Sequence, residues 1–327
     1  MSTLTHFRAL TLTFDARKES LLFFKRPKIN SLGAQLDAQS MIWPGIIFMI
    51  IFNFFPMYGV IIAFKDYSII TGIFEAPWSG FRHFAAFLTN RNFYSALRNT
   101  LGINLLGLVV GFPAPIIFAL FLYELRSQAF KKFTQTVSYL PHFLSWVVYG
   151  GLIISLLSTE TGAVNNVLLR IGLVEEPVFF LGEPQYFWGI AVITNITKTL
   201  GWSAILYLAA IAGVDPQLHE AGVIDGAGRF QRMWHITLPA IAGTVFILLI
   251  FTVSGMLNWG FDQIWMLQNA LNVTSSEIID TYVYKVGLQQ LRFSYATAVG
   301  LTRSVVAVVL LLFTNWLAGR VADRSLF

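Results

Sequence analysis

Cysteine is absent from the chain, which excludes disulfides, thiolate nucleophiles and cysteine-based metal sites and leaves the redox compartment undeclared. Charge is scarce as well. Only 12% of the 327 residues are Asp, Glu, Lys or Arg, against about 25% in an average soluble protein. There is no Gly-Lys dipeptide, so a phosphate-cradling P-loop is impossible. His219-Glu220 lacks the second histidine of a zinc-protease helix, and no Gly-x-Ser-x-Gly elbow occurs. No catalytic set is therefore read. The expectation is a protein that is not an enzyme, with no metal and no cofactor bound by this chain. A cleavable signal peptide is not expected either, because the first apolar run begins near Met41, too late and too long for one.

What fills the chain instead is apolar. Hydrophobic residues make up 56% of it, and the mean hydropathy is +0.65, which marks a multi-pass membrane protein. Stretches long enough to span, ~20 residues, run from Ala38 to Phe64, Asn99 to Tyr123, Ser138 to Ser158, Tyr186 to Ala212, Ala240 to Gly260 and Thr297 to Ala318. The expected fold is an all-α membrane bundle of six transmembrane helices over residues 41–320. A basic segment, 1–40, precedes it, and a short tail, 321–327, follows. The piece SLLFFKRPK within the first segment suits either an anionic membrane surface or a solvated cytoplasmic tail. Pro44 and Pro56 start and kink the first span. Gly107 and Gly111 permit close helix packing, with a hinge at Pro113 or Pro115 as the alternative. Trp78, Phe81, Phe84 and Phe93 are expected at the membrane interface, and Asp262 to Ala296 as a polar loop.

Between the fourth and fifth spans lies a polar, glycine-punctuated island, EAGVIDGAGRFQRMWHITLP, from Glu220 to Pro239. Asp215 is a good N-cap and Pro216 suits a first helical position. Gly226 and Gly228 break the helix, and Arg229 to His235 form a second short one. This stretch resembles the EAA loop of ABC importer permeases, in which Glu-Ala-Ala is followed by three residues, Gly, nine residues, Ile, one residue and Leu-Pro. Glu220, Ala221, Gly226, Ile236, Leu238 and Pro239 fall at that spacing. Gly222 stands where the second alanine is usual. Tyr139-Leu140-Pro141 also resembles the family, and Asp225-Gly226-Ala227 together with the added first helix is similar to its oligosaccharide and polysaccharide importers.

The resemblance implies a type I importer permease whose 215–239 loop docks on a separate ATPase. The coupling residues it implies are Glu220, Ala221, Gly222, Asp225, Gly226, Ala227, Leu238 and Pro239. It further implies a homologous second permease, two ATP-binding subunits that hold ATP and Mg, and an extracytoplasmic solute-binding protein. The bacterial inner membrane, with both termini cytoplasmic, is the implied location. With that orientation the inside segments hold Arg8, Arg17, Lys18, Lys25, Arg26, Lys28, Arg126, Lys131, Lys132, Arg229, Arg232, Arg320 and Arg324, more than half of the 22 basic residues, as the positive-inside rule asks. The positive charges sit beside apolar runs, so lipid and not nucleic acid is the expected partner.

For the substrate path, Asn195, Lys198 and Trp202 follow i, i+3, i+7 spacing and share a helix face. Ser254, Asn258 and Trp259 on the fifth span and Arg303 on the sixth are further candidates. Two intramembrane cations suit an acidic oligosaccharide, alginate-like, with a neutral one close behind. The plainer alternatives are that Lys198 pairs with a carboxylate of a partner and that Arg303 snorkels outward. An ion-coupled secondary transporter is the rival function, and it needs intramembrane carboxylates that the spans do not show. Asn272-Val-Thr274 is a formal glycosylation sequon, meaningful only in a eukaryotic secretory setting.

Overall fold

The computed structural model describes residues 32–258 and 260–322. The SLLFFKRPK segment, Trp259 and the last residues, 323–327, therefore lie outside the described residues. Among the described residues regular structure is helical, apart from one isolated bridge between Lys65 and Trp78. The chain divides at Gly59 into two units, and the first span, α1 (Gln39–Phe64), begins in the first of them.

Within the second unit α2 (Arg91–Tyr123) is a single 33-residue helix. It starts earlier than its apolar run because Asn90 caps it, accepting from the Asn92 N–H at 2.8 Å. Phe93 and Ala96 in its first turns are buried in a core with Phe87, Tyr282 and Tyr295. Phe93 is thus a core residue, not an interfacial one, while Trp78 and Phe81 are exposed. The third span is not straight. It consists of α3 (Gln128–Phe143) and α4 (Trp146–Leu156), bent by 105°. Pro141 in the last turn of α3 and the Ser145 cap of α4 divide the two. The fourth span, α5 (Phe187–Ala212), is followed at 73° by α6 (Pro216–Ile224). Next come α7 (Arg229–Ala240) and, at 64° to it, α8 (Ala242–Ser254). Among the described residues three helices are long and apolar enough to cross a membrane, or up to six if each bent pair is one span.

The 262–296 stretch is a folded insert, not a loop. It forms α9 (Phe261–Leu267), α10 (Val273–Ser276) and α11 (Ile279–Tyr284) before α12 (Phe293–Ala322). Its anchors are polar. Asn99 Nδ2 donates to the Thr274 and Glu277 carbonyls, each at 3.0 Å, and Ile279 N–H donates to Thr100 Oγ1 at 2.9 Å. Asn272 is fully buried and donates to the Leu181 and Leu267 carbonyls. The sequon asparagine is therefore a structural plug. Sequence reasoning missed these because short polar residues in a loop pattern carry no period.

Three of the helices contain a widened π-type turn ahead of a proline: Ile50–Phe54 before Pro56, Gly107–Gly111 before Pro113, and Met233–Thr237 before Pro239. Proline lacks the N–H and its ring presses on the carbonyl four residues back. A wider preceding turn absorbs both without ending the helix. A Cβ on Gly111 meets Ile196 at an ordinary 3.5 Å, whereas one on Gly201 lies 2.4 Å from the Ser138 carbonyl and one on Gly102 lies 2.3 Å from the Trp188 ring. The tightest approaches are at Gly102 and Gly201.

Candidate functional site

The island between the fourth and fifth spans folds as an elbow with two arms. Asp215 caps the first arm, α6, accepting from the Gln217 N–H at 2.9 Å. Gly226 ends it at φ +78. The Ala227 N–H donates to the Gly222 carbonyl at 2.8 Å and the Gly226 N–H to the Val223 carbonyl at 3.0 Å, the paired bonds of a Schellman C-cap, where glycine alone is unstrained. Gly228 opens the second arm, α7, its N–H donating to Gln231 Oε1 at 2.8 Å.

Gly222 is buried where the arms meet, and a Cβ there lies 2.9 Å from Ile236 Cδ1. Gly222 in place of alanine lets α6 approach α7 more closely. Glu220, Ala221, Asp225 and Gly226 are exposed, as are Leu218, Val223 and, at 86%, Ile224. Ala227 is half-buried and its carbonyl accepts from Arg232. Pro239 is exposed at the far end of the second arm. Leu238 and Met233 pack on a buried cluster of Ile116 and Ala119 from α2, Ala204, Tyr207 and Ile211 from α5, and Ile241. One arm thus presents apolar surface outward, while the other is fastened to two spans.

Those two spans wall a cavity of about 460 Å³ together with α8. Asn104, Asn195, Thr199, Trp202, Tyr207 and Thr252 supply its polar and aromatic lining. Gly107, Gly111 and Pro115 line it as well, so the widened turn of α2 shapes the wall. Asn195 Nδ2 donates to Gln263 Oε1 at 3.4 Å, and the wholly buried Gln263 donates to the Ala191 carbonyl and to Thr194 Oγ1. This ties the insert to the cavity wall.

The sequence-predicted path residues divide. Asn195 and Trp202 line the cavity. Lys198 does not. Its buried ammonium donates to the carbonyls of Pro141 at 3.0 Å, His142 at 3.0 Å and Leu144 at 2.5 Å, with the Trp146 and Tyr149 rings 5.3 and 5.7 Å away. A cation at a helix C-terminus completes carbonyls that have no intrahelical donor and opposes the dipole. Lys198 is the cap that holds the α3–α4 break. His142, beside it, stacks on Trp202 at 4.4 Å. Ser254 donates to the Phe251 carbonyl of its own helix, and Asn258 is exposed; neither lines the cavity. Arg303 forms an ion pair with Asp280 of α11 in place of snorkelling. The cavity-lining stripe on α5 is Asn195, Thr199, Trp202 and Leu206, at i, i+4, i+7, i+11 spacing, one position aside from the stripe through Lys198.

The chain matches the family described as binding-protein-dependent transport system inner membrane component over residues 111–324. Protein LplB of Bacillus subtilis (strain 168) is 43% identical over 284 residues, 87% of this chain and 89% of LplB. The polygalacturonan/rhamnogalacturonan transport system permease protein YteP of the same organism is 42% identical over 310 residues, covering 94% and 96%. In a crystal structure of a bacterial alginate ABC transporter in complex with an alginate pentasaccharide-bound periplasmic protein, one chain is similar at TM-score 0.80 and 37% identity, covering 95% of this chain and 98% of that one.

Proposed function

Because the chain belongs to the binding-protein-dependent transport system inner membrane component family, we infer that the elbow from Asp215 to Pro239 is where this permease receives the work of ATP hydrolysis. The protein is a membrane-embedded permease of an ABC importer for sugars or polysaccharides, a transport subunit and not an ion-coupled carrier. The observation that carries the coupling role is the geometry of the elbow. A stiff exposed arm ends in a glycine cap, and a second arm is bolted through Met233, Leu238 and Ile241 to the helices that wall the cavity. Displacing the first arm moves the wall. Two ATP-binding subunits then carry ATP and Mg, a homologous second permease completes the membrane pair, a solute-binding protein delivers from outside, and the elbow and both termini lie on the cytoplasmic side.

The substrate we propose is an acidic oligosaccharide. The support is the named cargo of the relatives, polygalacturonan and alginate. The cavity adds amide and hydroxyl groups with an aromatic face, the usual make-up of a sugar site. Neither Lys198 nor Arg303 is among its lining residues. Co-purification of the tagged chain tests the assembly, and ATP hydrolysis stimulated by acidic against neutral oligosaccharides tests the cargo. Glu220→Lys and Gly226→Asp are expected to abolish ATP-driven uptake by uncoupling or disassembling the complex. Normal assembly with retained uptake in both variants overturns the coupling role.

A further inference from the structure

A second chamber, also about 460 Å³ but wide open to the surface, lies beside the insert and is lined by Phe261, Asp280, Tyr284, Phe293 and Thr297 among others. Met256 walls the central cavity and Phe261 the second chamber, so consecutive parts of the chain serve both. Phe261 is stacked on Trp265 at 5.4 Å and 16°, and Tyr284 closes on the two rings at 5.2 and 5.0 Å. All three rings are partly exposed. Rings this tightly buttressed present a fixed apolar face that needs no ordering when a ligand arrives.

Asp280 sits on the same lining, oriented by its ion pair with Arg303. That carboxylate has free acceptor positions beyond the one Arg303 uses, suited to hydroxyl donors. The pair is neutral as a unit, so a sugar acid meets no net repulsion there. Two aromatic rings inclined at 54° on the same lining as a fixed acceptor suit a ring with an apolar face and a rim of hydroxyls.

We propose that this chamber is a second saccharide subsite, which takes one pyranose ring of the incoming oligosaccharide before it reaches the central cavity. The subsite rests on the oligosaccharide reading above. Phe261 and Tyr284 provide the stacking wall, Trp265 holds it, and Asp280 accepts the hydroxyls.

Direct binding to the assembled transporter in lipid nanodiscs, without nucleotide and without the solute-binding protein, tests this with galacturonate oligomers of two to five units. With Phe261→Ala, affinity for the longer oligomers falls about tenfold, the scale of ~1.4 kcal/mol for a lost aromatic contact, while that for the dimer is unchanged and the complex assembles in normal yield. Phe261→Tyr restores the longer oligomers. Equal weakening at every length, or no change at any length, overturns the subsite and leaves the cargo assignment standing. A wild-type complex that binds none of the oligomers, in a transporter that does hydrolyse ATP, overturns the cargo and the subsite together.

Discussion

Lys198 shows how residue identity and residue role separate. Its charge lies within an apolar span, and a lone cation there costs roughly 2.5–3.5 kcal/mol. That cost made it a candidate for substrate contact. The structure assigns the ammonium to three backbone carbonyls at the α3–α4 break. A buried carbonyl left without a donor costs about 1–3 kcal/mol; the Pro141 carbonyl keeps the Leu144 N–H, so Lys198→Met is expected to lower the thermal midpoint of the assembled complex measurably through the His142 and Leu144 carbonyls. The cavity contact is the neighbouring Trp202, with His142 stacked behind it. Trp202→Ala is expected to weaken oligosaccharide binding about tenfold, the weight of one stacked ring, with little change in the midpoint. Calorimetric binding and thermal unfolding of the same two variants check both. Interchanged outcomes reverse the two assignments.

At the scale of the element, the elbow was legible because its chemistry is local. An N-cap at Asp215, a C-terminal glycine at 226 and a proline at 239 each impose their own backbone geometry. The same holds for the spans, whose length and hydropathy are properties of the segment. The break in the third span was not legible in the same way. Tyr139 to Ser145 reads as apolar chain entry, and only the distant Lys198 shows that the carbonyls freed by the bend have a partner. The insert of α9 to α11 escaped for a similar reason, since Asn99, Thr100 and Gln263 lie far from it in sequence or look like ordinary polar loop residues. Gly222 carries the element-scale prediction. A leucine there drives past Ile236 Cδ1, already 2.9 Å from the first added carbon, and wedges the arms apart. Gly222→Leu is expected to leave the ATPase bound, with hydrolysis no longer stimulated by cargo-loaded binding protein. Normal stimulation in that variant, read by phosphate release, removes the contact from the coupling route.

For the whole molecule, the absence of cysteine becomes an experimental advantage. Single cysteines report their own side of the membrane with no background. Ile70 is 96% exposed between the first and second spans, and Ile224 is 86% exposed on the elbow. With the termini inside, Ile70→Cys is expected to react with a membrane-impermeant maleimide added to intact cells, and Ile224→Cys only after the inner face is opened. Labelling of both from one side overturns the proposed orientation and with it the access of an ATPase to the elbow.

The cap at Lys198 also has a consequence in time. The carbonyls it needs belong to residues 141–144, which leave the ribosome before position 198 does. A span carrying an unsatisfied ammonium inserts reluctantly, whereas one that meets a waiting cluster of carbonyls does not. The order of synthesis therefore supplies the partner before the charge. A circularly permuted chain in which α5 emerges ahead of α3 and α4 would meet the bilayer with that lysine bare, and biogenesis, more than final stability, is where such a rearrangement fails.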